Sequence, residues 1–406
     1  MARLAVLSYH TSPLAQPGTG DGGGMNVYVR EMGAALARQG HQVDIYTRRD
    51  SATQRDQVMV EPGLVVHHVT AGPTTSLSMD QLRLWVDDFA RSVGVLMGCQ
   101  RRPDILHANY WLSGIAGHWL KHELDIPLVM TFHTLDRVKA ATFGETSTSR
   151  AAEEEKIIGC SDAVLASCDI EAQQIVDFYD ANPARVHIVP LGVEHAFFSP
   201  GNKLEARRAL GMPTDQPLLL FAGRIQELKG VDLALEAFIE LRRRRSCGHL
   251  AIVGGPSGPS GRQTLDRIQN RIAEAGLIES VSLVAPQSHQ LLSSWFRASD
   301  VTLVPSLAES FGLVALESAA CGTPVVASAV GGLLTLVTPD HNGLLVSSRD
   351  ASEWADAVEH VLDPEVGVNM ALASATMARR YTWRNTAEAI SDLVERLQSG
   401  ALLLCP

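Results

Sequence analysis

Short runs of aliphatic and β-branched residues alternate with helix-like segments along the first half of the chain. The runs are apolar almost throughout, whereas in the helix-like segments the apolar residues recur with helical spacing. This alternation is typical of βαβ units and predicts a parallel sheet with helices on both faces. The predicted strands are 4–8, 43–47, 64–70, 105–108, 128–132, 163–167 and 186–189, and the predicted helices include 25–39, 79–97 and 171–178.

A second series of strands begins after a stretch rich in proline and glycine, which runs from Pro190 to Gly201. The sequence therefore predicts an α/β protein with two Rossmann-like domains, 1–193 and 194–380, whose parallel sheets face a central cleft. An amphipathic helix at 384–398, within a last segment of 381–406, is expected to cross back to the amino-terminal domain. The strands of the second series are predicted at 218–222, 250–253, 281–284, 301–304 and 325–327.

Composition and charge argue against several classes of protein. Of the 406 residues, 46% are hydrophobic and 19% are charged, as in ordinary globular proteins. The 34 Lys and Arg residues against 45 Asp and Glu residues give a net charge of −11, which repels nucleic acid and anionic lipid. The amino terminus lacks the apolar region of a signal peptide. We therefore expect a cytoplasmic protein with small-molecule partners, no nucleic acid and no stable membrane association; a homodimer is left open.

A glycine-rich loop follows the first predicted strand. Residues 18–23 (GTGDGG) match the pattern of dinucleotide-binding loops, and Gly24 extends it. In a nicotinamide enzyme this pattern is the turn between strand and helix itself, but here the strand ends near Ser8 and two prolines intervene. We therefore interpret the glycines as a loop that presses its backbone against a ligand, with Asn26 opening the next helix. A mobile surface loop remains the alternative.

Two cations follow the first strand of the second series. Arg224 comes two residues after this strand, and Lys229 lies five residues further on, before Gly230 and a predicted helix. Because ligands of parallel sheets bind at the carboxyl ends of the strands, an arginine and a lysine at this place suit a diphosphate. Solvated surface cations remain the alternative.

Two glutamates lie eight residues apart, Glu309 on a loop after the strand at 301–304 and Glu317 inside the next predicted helix. This spacing is a little over two helical turns, so the carboxylates would reach different parts of one elongated ligand, a sugar hydroxyl and a ribose. The backbone amides of Gly312 and Leu313, at the start of that helix, could bind a phosphate between them.

The four charged side chains just described resemble the donor-binding signature of the retaining glycosyltransferases of family four, which have the GT-B fold. The sequences HTSPLAQPGTGD at 10–21 and GGMN at 23–26 resemble the branch of that family that transfers GlcNAc from UDP-GlcNAc to inositol 3-phosphate in the mycothiol pathway. The resemblance implies a hexosyltransferase that retains the anomeric configuration and uses a UDP- or GDP-linked sugar, with no other cofactor. It also implies no metal, and we find no DxD-type motif well placed at a predicted strand end.

The resemblance further assigns a role to each donor residue. Arg224 and Lys229 would hold the diphosphate, Glu309 the 3- and 4-hydroxyls of the sugar, and Glu317 the ribose. His133 matches the active-site histidine of the family, beside donor and acceptor. The implied donor-binding set is Gly23, Gly24, Arg224, Lys229, Glu309, Ser310, Phe311, Gly312, Leu313 and Glu317, and the implied catalytic set is His133, Arg224, Lys229 and Glu309.

The acceptor residues match the resemblance only in part. In the inositol 3-phosphate branch a lysine, a tyrosine, a threonine and an arginine hold the acceptor phosphate. Tyr110, Thr134 and Arg150 match three of these, but Met79 stands where the lysine belongs. Losing one charged phosphate ligand costs about 1.5–3 kcal/mol, so a dedicated inositol 3-phosphate enzyme would hardly tolerate the change. Asn26 completes the residues that we expect to contact the acceptor.

Asp136 adds a negative charge where that branch usually has an uncharged residue. One cation lost and one anion gained favour a neutral or cationic acceptor, unless Asp136 merely pairs with Arg137 or Lys139 or another cation replaces the lysine. We therefore expect sugar transfer to a small non-phosphorylated acceptor, an aminocyclitol or a zwitterionic thiol, in antibiotic or other specialised biosynthesis. The alternatives are transfer to inositol 3-phosphate, a non-catalytic nucleotide-sugar-binding protein and a GT-B epimerase.

Overall fold

The computed structural model describes residues 1–400 except 19, 21, 100, 145–147, 246 and 259. The chain divides into two compact units. Unit 1 contains residues 1–15, 24–190 and the chain from Trp383 onward, and unit 2 contains residues 16–23 and 191–382. The glycine loop at 16–23 therefore packs with the second half of the chain, although the first half surrounds it in sequence.

Each unit is built from parallel strands joined by helices. The strands of unit 1 are β1 (Arg3–Leu7), β2 (Gln42–Arg48), β3 (Gln57–Glu61), β4 (Leu64–Val69), β5 (Ile105–Asn109), β6 (Leu128–Thr131), β7 (Ala163–Ala166) and β8 (Val186–Ile188). The strands of unit 2 are β9 (Leu218–Ala222), β10 (His249–Val253), β11 (Val281–Val284), β12 (Val301–Val304), β13 (Val325–Ser328) and β14 (Gly343–Val346). The helices are α1 (Gly24–Arg38), α2 (Met79–Arg83), α3 (Val86–Gly98), α4 (Trp111–Leu124), α5 (Asp136–Phe143), α6 (Thr148–Cys160), α7 (Asp169–Tyr179), α8 (Lys203–Leu210), α9 (Val231–Arg244), α10 (Gly261–Glu274), α11 (His289–Ala298), α12 (Leu313–Ala320), α13 (Leu333–Leu336), α14 (Ala351–Val361), α15 (Pro364–Ala378) and α16 (Trp383–Ser399).

The sheet of unit 1 has the order β3-β4-β2-β1-β5-β6-β7-β8. All neighbours are parallel except β3, which runs antiparallel to β4 at the edge. Strands β5 and β6 are adjacent, and Asn109 at the end of β5 lies opposite Thr131 at the end of β6. Side chains that follow these two strands therefore emerge at one edge of the sheet, where parallel α/β proteins bind their ligands.

The sheet of unit 2 has the order β11-β10-β9-β12-β13-β14 and is parallel throughout. Strand β9 lies between β10 and β12, so the chain order reverses beside β9. The loops after β9 and β12, which carry the predicted donor residues, therefore leave neighbouring strands at the same edge. The prediction of an α/β protein with two units built on parallel sheets is confirmed.

The predicted helix at 79–97 is two helices, α2 and α3, separated by Leu84 and Trp85. The Trp85 ring covers Gly72, where a β-carbon would lie 2.4 Å from an indole carbon, and the half-buried Trp85 side chain packs against the core of unit 1. Met79 begins α2, after Ser78, which forms a capping box with Gln81. Met79 is thus the first residue of a helix, at the predicted position, but that helix is only five residues long.

The last helix, α16, packs against α1 in unit 1. Its buried face includes Ala387, Ile390 and Leu393. Thr386 Oγ1 donates a 2.8 Å hydrogen bond to the carbonyl oxygen of Pro190, which ties the end of the chain to the last residues of the first half. Among the described residues, no helix is both long enough and apolar enough to cross a membrane.

Candidate active site

The glycine loop lies against the first predicted donor cation. A β-carbon at Gly23 would lie 3.4 Å from Arg224 Nε and 3.6 Å from Arg224 Cζ, so the guanidinium lies beside the glycine with room for about one further carbon between them. Ser257 Oγ donates a 2.7 Å hydrogen bond to the carbonyl oxygen of Gly20 and holds the middle of the loop. These contacts place Gly23 and Arg224 together in unit 2, whereas Gly24 is the first residue of α1 in unit 1.

Lys229 forms an ion pair with Glu309. The distance from Lys229 Nζ to Glu309 Oε2 is 2.6 Å, and both side chains are about four-fifths buried, with 22% and 17% exposed. Ser306 Oγ donates to the same carboxylate oxygen at 3.2 Å. Gly230, which follows Lys229, has a φ of +68°, and a β-carbon there would lie 2.1 Å from the carbonyl oxygen of Pro305. The glycine thus lets the Lys229 turn approach the loop that carries Glu309.

The start of α12 carries the predicted phosphate amides. The helix begins at Leu313 rather than near Phe311, and Gly312 caps it with a φ of +101° and no side-chain hydrogen bond. Phe311 is buried in the core of unit 2, and Ser310 precedes it on the loop from Glu309. The first amides of α12 therefore lack a side-chain cap, and such helix starts attract anions.

Glu317 lies inside α12 and is 4% exposed. Burial raises the pKa of its carboxyl to about 8. His289 Nε2, at the start of α11, lies 3.9 Å from Glu317 Oε1. The two glutamates of the sequence motif thus have different surroundings: Glu309 meets a lysine, whereas Glu317 is a buried acid whose raised pKa keeps it protonated at neutral pH.

His133 follows the end of β6 in the left-handed conformation, with a φ of +62°. Its Nε2 lies 2.9 Å from Asn109 Oδ1, and its ring centroid lies 5.1 Å from that of Tyr28, edge to face. Burial, with the neighbouring His107 and His10, lowers the pKa of His133 to about 3. The imidazole is therefore neutral across the physiological range.

The predicted acceptor residues converge on the guanidinium of Arg150, which is 9% exposed. Arg150 donates to the Tyr110 hydroxyl at 3.3 Å and to the carbonyl oxygen of Thr134 at 2.7 Å. It also forms a 2.7 Å ion pair with Glu154, and Asp136 Oδ1 lies 4.0 Å from its Nε. The structure thus brings Tyr110, Thr134, Asp136 and Arg150 together in unit 1.

Negative groups dominate the environment of Arg150. Burial alone would lower the pKa of its guanidinium, but Tyr110, Glu154 and Asp136 together raise it. Glu154 is fully buried, and its other oxygen accepts a 2.9 Å hydrogen bond from the backbone amide of Asp136. Asp136 is therefore a buried member of this cluster, which corrects the alternative of a surface pair with Arg137 or Lys139.

Two further acceptor residues have other contacts. The side-chain amide nitrogen of Asn26 donates to Thr11 Oγ1 at 2.8 Å and to the carbonyl oxygen of Ser12 at 2.6 Å, so it holds the loop after β1. Asn26 is the third residue of α1 and does not open the helix as predicted, because α1 begins at Gly24. Met79 packs against the hydrophobic core of unit 1.

The sequence analysis missed Asn109 and Glu154, which contact predicted site residues directly. The only sequence signal for Glu154 is its position four residues after Arg150 in a helix, a spacing typical of ion pairs. Asn109 precedes Tyr110 at the end of a strand, and that place alone could have marked it as a candidate.

One group of three side chains among the described residues could ligate a metal: His118, His122 and Cys160. His122 Nε2 lies 3.3 Å from Cys160 Sγ. None of the three is a predicted site residue, so a metal-independent reaction stays a prediction.

Two family models match the chain, one in each half. Residues 23–192 match the glycosyl transferase 4-like domain, and residues 202–379 match the glycosyl transferases group 1.

Relatives match over almost the whole length. The D-inositol 3-phosphate glycosyltransferase of Acidothermus cellulolyticus is 41% identical over 402 residues, which cover 96% of this chain and 89% of the relative. The protein of the same name from Mycolicibacterium smegmatis is 41% identical over 405 residues, with 98% and 92% covered. The chain therefore belongs to the GT-B glycosyltransferases of family four and is a hexosyltransferase that uses a nucleotide sugar.

Solved structures agree with this assignment. The sucrose-phosphate synthase of Thermosynechococcus elongatus has a TM-score of 0.91 and 30% identity, and the match covers 98% of this chain and all of that one. HepE of Anabaena, solved with UDP and glucose, has a TM-score of 0.78 over the same 98% of this chain and 100% of its own. At 17% identity, the likeness to HepE concerns the fold alone.

Proposed function

We propose that this chain transfers a sugar from a nucleotide-sugar donor to D-inositol 3-phosphate, with retention of anomeric configuration and without a metal. The observation that carries this proposal is the convergence of Tyr110 and Thr134 on the buried guanidinium of Arg150. By resemblance, they match three of the residues that hold the acceptor phosphate in the inositol 3-phosphate branch. The relatives of that name, identical at 41% over nearly the full chain, support the same acceptor.

Unit 2 would hold the donor through its charges. Arg224 and Lys229 neutralise the diphosphate as it leaves, and the uncapped amides of α12 add dipoles aimed at the same group. When the diphosphate binds, Lys229 shares its charge between the phosphate and Glu309, its partner at 2.6 Å. That carboxylate is then held in place to accept hydrogen bonds from sugar hydroxyls. The protonated Glu317 would bind the ribose hydroxyls both as a donor, through its O–H, and as an acceptor, through its carbonyl oxygen.

Unit 1 would hold the acceptor. Arg150 presents a guanidinium that its neighbours have already fixed in position, so little side-chain entropy is lost when a phosphate binds. His133 is neutral and offers a hydrogen-bonding nitrogen without adding charge. In this proposal the β-phosphate oxygen of the donor takes the proton of the attacking hydroxyl, while the protein positions the reactants and screens charge.

A second candidate is transfer to an unphosphorylated or amine-bearing cyclitol. Two observations favour it: Met79 packs on the core where a phosphate-binding lysine was expected, and Asp136 is buried 4.0 Å from Arg150. A carboxylate at this distance weakens the attraction of Arg150 for a dianion and strengthens it for an ammonium group. The relatives give no support to a role in antibiotic biosynthesis, and we do not retain that assignment.

A panel of acceptors decides between the two candidates. UDP-GlcNAc, UDP-glucose and GDP-mannose are offered with inositol 3-phosphate, inositol or 2-deoxystreptamine, and the released nucleotide and the product mass are measured. Our proposal expects the highest kcat/KM with inositol 3-phosphate; a higher value with either unphosphorylated acceptor would favour the second candidate. Donor binding without nucleotide release would indicate a sensor, and release with water alone an epimerase.

The variant Met79→Lys tests the same question from the side of the protein. It restores the missing cation, so we expect kcat/KM for inositol 3-phosphate to rise about tenfold or more while the value for inositol stays constant. Met79→Leu keeps the apolar packing and is the matched control. An equal rise for both acceptors would contradict a phosphate contact at this position.

A further inference from the structure

Asn109 lies next to His133 at the edge of the unit 1 sheet. It is the last residue of β5, which pairs with β6, and His133 follows the end of β6. Asn109 is fully buried, and its Oδ1 lies 2.9 Å from His133 Nε2. A buried amide in contact with an imidazole determines which ring nitrogen carries the proton, provided that its own orientation is fixed.

The backbone fixes the orientation of this amide. Asn109 Nδ2 donates to the carbonyl oxygen of His107 at 3.4 Å, which turns Oδ1 towards His133. In the reversed orientation, Oδ1 would face the carbonyl oxygen of His107, and two acceptors would meet without a proton between them. Since Oδ1 can only accept, His133 must donate from Nε2.

The position of the proton on one nitrogen settles the state of the other. Burial keeps the pKa of His133 near 3, so the neutral ring has a single proton. With that proton on Nε2, the Nδ1 atom carries a lone pair and can act only as an acceptor. Besides burial, the neighbouring titratable groups His107 and His10 lower this pKa.

A second contact holds the plane of the ring. The Tyr28 ring meets His133 edge to face at 5.1 Å and is itself buried. The Tyr28 hydroxyl is hydrogen-bonded to Thr131, whose Oγ1 lies 2.9 Å from His107 Nε2. Neighbouring buried groups thus fix the His133 ring. Such surrounding contacts can maintain a residue in the unfavourable left-handed backbone conformation that His133 adopts.

We propose that Asn109 is a positioning residue, which holds His133 in the Nε2–H tautomer so that Nδ1 accepts a hydrogen bond from a substrate hydroxyl. The functional half of this statement rests on the proposed function, whereas the tautomer does not. The two can therefore fail separately. A tautomer measurement without substrate tests the first half, and kinetics test the second.

The tautomer is measured by ¹⁵N NMR on protein labelled in its histidines, of which there are 14. Comparison with His133→Gln assigns the signals of His133. We expect a protonated Nε2 and an unprotonated Nδ1 between pH 5 and 8 in the wild-type protein. Asn109→Leu removes the acceptor and should allow the Nδ1–H tautomer, whereas Asn109→Asp keeps an acceptor oxygen and should retain Nε2–H.

Kinetics of the same variants test the role in transfer. For Asn109→Leu we expect kcat to fall about 10- to 100-fold with KM nearly unchanged, by analogy with the loss seen when the partner that orients a metal-ligating histidine is removed. In Asn109→Asp the new carboxylate raises the pKa of His133, so activity should fall with decreasing pH over a range where the wild-type rate is constant. Asn342→Leu, which removes a buried amide from unit 2, controls for loss of stability and should leave the tautomer unchanged.

Several results would overturn the inference. They are an Nδ1–H signal in the wild-type protein, the same tautomer in Asn109→Leu as in wild type, or identical pH profiles for wild type and Asn109→Asp. If Asn109→Leu does not fold, the Asn109→Asp profile decides. If the NMR results are as expected but no acceptor is glycosylated, the proposed function fails and the tautomer assignment stands.

Discussion

Glu317 should make the free energy of unfolding depend on pH, and Glu317→Gln should remove that dependence. The carboxyl is 4% exposed, and burial raises its pKa from 4.5 to about 8. Between these two values the folded protein keeps the proton that the unfolded chain has lost. The contribution of Glu317 to the free energy of unfolding is therefore at its full value below pH 4.5 and decreases as the pH rises towards 8. Above pH 8 it no longer changes.

The magnitude follows from the size of the shift. Each pKa unit corresponds to about 1.4 kcal/mol, so the full loss is about 5 kcal/mol, and about 3 kcal/mol of it falls between pH 5 and 7. Glutamine resembles the protonated acid in shape and does not titrate. The free energy of unfolding of Glu317→Gln minus that of wild type should thus grow by about 1.4 kcal/mol per pH unit. Between pH 5 and pH 7, the Tm of the variant should therefore rise by about 5–10 °C relative to the Tm of wild type.

Thermal unfolding at several values from pH 5 to 8.5 measures this difference. The control is Glu279→Gln, which neutralises an exposed glutamate of the same unit and should leave the pH dependence of wild type intact. Parallel curves of Tm against pH for wild type and Glu317→Gln would show that the carboxyl is ionised in the folded protein, and the argument from burial would then be wrong.

Three further substitutions test the charged groups of the site. Lys229→Ala should lower kcat/KM for the donor by about 10- to 100-fold, measured by nucleotide release, because a charge-assisted phosphate contact contributes about 1.5–3 kcal/mol; full activity would contradict that contact. Arg150→Leu should lower the free energy of unfolding by about 3–5 kcal/mol in urea titrations, since it leaves Glu154 buried without its cation, and an unchanged midpoint would be inconsistent with this. Asp136→Ala should raise kcat/KM for inositol 3-phosphate several-fold but not for inositol, and equal effects on both would exclude an electrostatic role.

Most of the fold could be predicted because buried strands of a parallel sheet are apolar on both faces. Thus β9 has the predicted ends, and β5 and β6 differ from the prediction by one residue. Strand β3 was missed because it lies at an edge and is partly exposed, so its sequence lacks a continuous apolar run. Strand β14 begins with a glycine that weakens the pattern further.

The site could be predicted only at the level of single positions. Charges that follow strand ends, such as Arg224, can be found from the order of elements along the chain. Their partners depend on distant segments: Glu309 meets Lys229 across 80 positions of sequence, and Asn109 meets His133 across 24. No local periodicity encodes these pairs, because they arise only when neighbouring strands are aligned.

The surroundings of Arg150 bear on how the proposed acceptor would be selected. Its charge is already balanced by the fully buried Glu154, and Asp136 adds a second anion nearby. A guanidinium balanced in this way can orient a phosphate through its hydrogen bonds, but it contributes little net attraction for a dianion over a neutral hydroxyl. Discrimination must then come from a further charge, and residue 79 is the position where the resemblance expects one. We infer that, if the proposed acceptor is correct, the residue at 79 rather than Arg150 sets the ratio of kcat/KM for inositol 3-phosphate to that for inositol.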